Sequence, residues 1–153
     1  MKFGLSIFCV FFFASFGFAQ LFSIDDLSKL NAMTETDFQN EMKKYQFSGF
    51  DTVESDASRI LIYSNDYEHF AIAKAISKTK KSASKVIYSF GNKVFYDKYL
   101  SLVSDLKYQP IVQEQFDGET IMHFRKGNQL LDLITTQDPE TNSNMYKIEV
   151  SQE

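Results

Sequence analysis

Of the side chains that most specifically mark acid–base or nucleophilic chemistry the chain holds two histidines, His69 and His123, and one cysteine, Cys9. A serine hydrolase of the elbow type carries Gly-x-Ser-x-Gly, whose sharp turn lifts the hydroxyl above a sheet, and no such motif is present. Both histidines fall in segments that read as strands, where a hydrogen-bonded structural role is the expected one. A triad brought together only by folding is selected by nothing in the order of residues.

Metal chemistry is no better provided for. Catalytic zinc takes three protein ligands, and Glu119 and His123, which share one face of the predicted strand 119–125, stand about 13 Å apart at roughly 3.3 Å per residue. The segment after Thr136 is richer in oxygen. Asp138, Glu140, Asn142 and Asn144 alternate, and Glu149 takes the twelfth position, where a calcium loop of the EF-hand kind puts its bidentate glutamate. The sixth position is Ser143 where the turn needs glycine, and strands flank the segment, so a solvated hairpin loop is expected. No metal or cofactor is predicted. The remaining candidate is electrostatic: Lys74, Lys78, Lys80, Lys81 and Lys85 gather positive charge round one turn and could meet an anionic lipid or acidic glycan surface. The competing reading is a soluble hairpin tip whose lysines guard a sheet edge.

The elements that would position these groups alternate in period. Ser23 with Asp26, and Thr34 with Asp37, are helix-capping pairs followed by apolar residues at helical spacing: Ile24, Leu27 and Leu30, then Phe38, Met42 and Tyr45. Strands are predicted at 59–64, 69–77 and 85–90; in the second, bulky Phe70, Ile72 and Ile76 alternate with thin Ala71, Ala73 and Ala75, although the alanines and a cap at Asp66 also suit a helix. From Asn92 a helix of about 16 residues, roughly 24 Å, should turn Phe95, Tyr99, Leu102, Val103 and Leu106 inward before Pro110 ends it. Strands at 111–116, 119–125, 129–136 and 146–150 follow, the first two joined by the hairpin turn Asp117-Gly118.

Residues 1–19 have the parts of a cleavable secretory signal: Lys2, an apolar Phe-rich core over 3–18, and small Gly17 and Ala19 before Gln20. The stretch falls short of the roughly 20 apolar residues of a spanning helix, and no later segment is apolar enough to cross a bilayer. Cys9 lies mid-core behind Phe8, away from the place of a lipidated cysteine. Cleavage leaves residues 20–153, a single cysteine-free domain whose net charge moves from −4 to −5 with the loss of Lys2. An acidic surface argues against nucleic-acid binding, which requires cations to displace counterions from phosphates.

Taken as a helix and then four strands, the order of elements occurs twice, over 20–91 and 92–153, although only three strands of the first half are placed and 51–58 reads as a polar stretch. Both helices end on the same tripeptide, Lys44-Tyr45-Gln46 and Lys107-Tyr108-Gln109, 63 residues apart. The predicted fold is α+β: a tandem duplication with helices on one face of an antiparallel sheet. In outline such modules resemble the exported β-lactamase inhibitor proteins; that likeness is architectural and implies no activity. The expected function is that of an exported, periplasmic or secreted, non-enzymatic binding module for a protein, peptide or envelope glycan. It would use the sheet face away from the helices or the loops at its ends; Leu130, Leu131, Leu133 and Ile134 supply apolar groups to both faces of one strand, and a flat lysine and glutamate surface with no aromatic patch or groove would remove the basis of this reading. The alternatives are a carrier with an apolar pocket between the sheet and the long helix, and an envelope hydrolase whose cleft gathers His69 or His123 with carboxylates.

Overall fold

The computed structural model describes residues 22–65, 70–79, 83–138 and 141–153. The leader, His69, Lys80, Lys81 and Glu140 therefore lie outside the described residues. Among the described residues three helices, α1 (Ile24–Ala32), α2 (Glu35–Lys44) and α3 (Lys93–Asp105), accompany eight strands. These are β1 (Ser48–Glu54), β2 (Ser58–Asn65), β3 (Phe70–Ser77), β4 (Lys85–Phe90), β5 (Gln109–Phe116), β6 (Glu119–Lys126), β7 (Gln129–Gln137) and β8 (Asn144–Gln152).

Local chemistry sets the helix ends. The Ser23 hydroxyl accepts from the Asp26 amide while the Asp26 carboxylate accepts from the Ser23 amide, a closed capping box that satisfies orphan first-turn donors. Thr34 and Asn92 cap α2 and α3 through the amides of Asp37 and Val94. Both α2 and α3 stop in the same way. Gln46 (φ 61°) and Lys107 (φ 63°) enter the left-handed region, and the next amides, Phe47 and Tyr108, donate back to the carbonyls of Met42 and Val103. These two stops are 61 residues apart. The same spacing relates the bulge between Gly49 and Asp51 in β1 to that between Pro110 and Val112 in β5, and the bounds of β2 to those of β6. The shared tripeptide, at 63, is two residues out of this structural register.

All strands join one antiparallel sheet in the order β1-β2-β3-β4-β8-β7-β6-β5. Asp117 (φ 48°) and Gly118 (φ 80°) supply the two positive φ values of the β5–β6 hairpin. Alternate strand residues, among them Leu61, Phe70, Ile72, Val86, Tyr88, Phe90, Leu131, Leu133, Tyr146, Ile148 and Val150, form one buried cluster with residues of all three helices. Segment 69–77, ambiguous from its alanines, is the strand β3 over its described residues, with Phe70 and Ile72 buried and thin Ala71 and Ala73 on the other face. In α3 the buried residues are Tyr96, Tyr99 and Val103; Tyr96 packs on Tyr146 (4.8 Å between ring centroids), and Leu102 is exposed, which corrects the predicted stripe.

Lys74 departs furthest from its predicted role. It lies on the inward face of β3, 2% exposed, and its ammonium donates to the carbonyls of Leu30, Asn31 and Met33 at 2.7, 2.7 and 2.8 Å. It also sits 5.4 Å from the centroid of the Phe38 ring. Lys74 is thus no surface contact: it binds the last carbonyls of α1 and pins the α1–α2 corner to the sheet. Burial pulls its pKa down to about 8, so it still carries its charge at neutral pH. Lys74→Met keeps the stem and removes the donor shared by three carbonyls, one buried and two half-buried. It should cost about 1–3 kcal/mol in urea unfolding at pH 7, and an unchanged unfolding midpoint would refute this role.

Candidate functional site

Because Met122 and Phe124 of β6 pack against the buried cluster, the alternate residues Ile121, His123 and Arg125 turn to the opposite, outer face of the sheet. β7 does as expected: Leu131 and Leu133 enter the cluster and Leu130 and Ile134 serve the outer side. Their neighbour Asp132 is outward too. Cross-strand register then builds a row through all eight strands: Asp51, Ile62, Ala73, Ile87, Glu149, Asp132, His123 and Val112.

The row divides by polarity. On β2 to β4 it is aliphatic, extended by Ile60, Ala71 and Ala75. On β8 to β6 it is ionised, with Lys85 reaching Glu149 (2.9 Å), His123 Nδ1 on Asp132 (2.8 Å) and His123 Nε2 on Glu114 (3.3 Å). Lys147 pairs with Glu119 and Arg125 with Glu153 beside it. Among the described residues this face is a mixed aliphatic and ion-paired surface, with a depression at its β1–β2 end lined by Gly49, Asp51 and Ile62. Its described aromatic is Phe116, at the β5 corner opposite Glu119.

His123 is the chemical centre of this face. Carboxylates only accept, so contact with one at each ring nitrogen favours the doubly protonated imidazolium. Burial by itself would lower its pKa, but the hydrogen bonds and charges of Asp132 and then Glu114 outweigh it and hold the ring above its usual 6.5. A histidine so held has no free nitrogen with which to take a proton from a nucleophile. The structure therefore brings His123 together with carboxylates, as the hydrolase alternative requires, but across open strands and with both nitrogens engaged.

Glu119 and His123 share a face without meeting. Of the lysine cluster, Lys74 is in the core, Lys78 binds Glu54 and the Ser55 carbonyl at the β1–β2 end, and Lys85 lies on the outer face with Glu149. The described members thus point three ways. In the oxygen-rich loop the Asp138 carboxylate accepts from the Thr141 amide, while Glu149 is committed to Lys85 on the sheet, so the two ends of the supposed calcium loop do not converge. No group of three or more His, Cys, Asp or Glu suited to a metal occurs among the described residues. Between α3 and the sheet, where a carrier would keep its ligand, Phe90 lies against Tyr99 (5.9 Å) and Phe95 (6.2 Å).

Sequence reasoning missed Glu114 and Asp132. Asp132 left a trace, as the one ionisable residue within an apolar run on a strand; Glu114 left none, since only the β5–β6 register brings it to His123. No protein-family profile, curated protein or solved structure matches the chain.

The raised pKa of His123 has a definite sign. Its contribution to stability is complete below 6.5, the unfolded value, and is lost as pH rises through the higher folded value. His123→Gln should therefore lower Tm more at pH 5.5 than at pH 9, and an equal loss at both would contradict the imidazolium clamp.

Proposed function

We propose that the protein is an exported, non-enzymatic binding module that presents the outer face of its sheet to a protein, peptide or envelope glycan. The observation that supports this most is the composition of that face. Ile60, Ile62 and Ile87 lie among thin alanines beside a band of ion pairs, which suits a partner with an apolar strip and complementary charge. In this reading the helices cover one face and leave the other free. The chain is also taken as a tandem duplication of a helix with four strands, supported by the 61-residue spacing of the helix stops, the bulges and the second strands. Export, to a periplasm or beyond, follows from the leader-like residues 1–19. Among the described residues no helix is long and apolar enough to cross a membrane.

The carrier reading is disfavoured by the aromatic filling beneath α3. The hydrolase reading keeps one supporting feature, the gathering of His123, Asp132 and Glu114, and loses weight from the engagement of both ring nitrogens.

A photo-crosslinking residue at Ile87, expressed in the native host, should yield a discrete adduct that the same residue at Lys98 on α3 does not. No adduct from Ile87, or hydrolytic activity of the purified protein abolished by His123→Ala, would overturn the proposal.

A further inference from the structure

The sheet ends in two edges, β1 and β5, and they are guarded unequally. β1 carries Asp51 and Glu54, and Glu54 holds Arg59 (3.0 Å) and Lys78, so this edge is charged and occupied by side chains. β5 has one ionisable residue, Glu114, in eight, and all eight are exposed. Ile111, Val112 and Phe116 are 53, 51 and 71% exposed. Pro110 and the bulge blunt only the start of the strand; from Val112 to Phe116 it runs in regular register with β6. Such a strand offers a row of backbone donors and acceptors on its open side, flanked by apolar side chains, and this is what a further strand adds to.

We propose that a second copy of the chain occupies this edge, β5 against β5 antiparallel, about a twofold axis at Gln113. Directly opposed residues on neighbouring strands point to the same face. Val112, Glu114 and Phe116 are outward, opposite His123, Ile121 and Glu119, so the faces agree only when even-numbered residues meet even-numbered ones. Centring the pair on Glu114 would set two like charges directly opposite, which is unfavourable. Centring it on Val112 would leave only that residue clear of the bulge, whereas centring it on Gln113 keeps 112–114 in regular register and brings Phe116 to Pro110. With Gln113 opposite itself, each Glu114 meets Val112 of the other copy, and two primary amides, each donor and acceptor, face one another at the axis.

Charge also separates this arrangement from β5 on β1 of another molecule. That contact would bring Glu114 toward Asp51, which shares its outward face, and being head-to-tail it would grow into open filaments, whereas the twofold pair closes. The pairing stands whether or not the outer face binds a partner. It would continue that face from one copy to the next, since Val112 is the last member of the row.

Residue 113 is a direct test, because at the axis it meets its own copy. The protein purified from its host should sediment at twice the chain mass as its concentration rises through the micromolar range. Gln113→Lys and Gln113→Glu should each sediment as monomers with unchanged circular dichroism, and an equimolar mixture of the two should recover the dimer mass. Thr52→Lys on β1 should leave the dimer intact. A wild-type monomer throughout would overturn the proposal, as would dimers of both Gln113 variants alone, a mixture that fails to associate, or a dimer abolished by Thr52→Lys.

Discussion

The fold depends on the pairing of β4 with β8. These are the last strands of the meanders β1–β4 and β5–β8, and among the described strands they alone join one meander to the other. Tyr88 faces Ile148, Val86 faces Val150 and Phe90 faces Tyr146, six side chains that are all buried. Burying large apolar groups at such a seam is worth about 1.5–3 kcal/mol for each side chain, enough to make the two halves cohere. Helix α1 packs on both β4 and β8 and so closes the seam. The residue before it ties the rest together. Phe22 meets Tyr88 (5.2 Å) and Tyr45 (4.9 Å) edge to face, and its carbonyl accepts the Tyr99 hydroxyl. Burial, with Tyr88 and Asp26 nearby, raises the pKa of that hydroxyl, so it remains a donor.

Much of this was legible in the sequence because it is local. Capping pairs at Ser23 and Thr34, the cap at Asn92, the turn at Asp117-Gly118 and the alternation in 69–77 each act within a few residues, and each predicted element is present where it is described. What depends on register was not legible. The partners of His123 come from β5 and β7, and no property of 119–125 identifies them. The identical tripeptides lie 63 residues apart whereas the matching helix stops lie 61 apart, because the stops share a backbone conformation and its hydrogen bonds, which different side chains satisfy equally well. Lys74 was misread for a different reason. Its parity with Phe70 and Ile72 places it inward, but its neighbourhood of lysines suggested a surface.

The charges on the outer face and the charge in the core constrain the sheet in complementary ways. Exposed and half-exposed ion pairs such as Lys85–Glu149 contribute little stability individually, about 0–1 kcal/mol. Their larger effect is on register. A one-residue slip of β7 or β8 would turn Asp132 or Glu149 into the apolar cluster, where an unpaired charge is strongly unfavourable. The outward row therefore discriminates against alternative pairings more than it stabilises the native one. Lys74 acts in the opposite sense. It is the one charged residue fully buried among those described, and three carbonyls at a single place, the end of α1, satisfy it. A slip of β3 would strand the ammonium and leave those carbonyls unmet. The sheet is thus held in register from one side by charges that must stay out, and from the other by a charge that has only one place to go in.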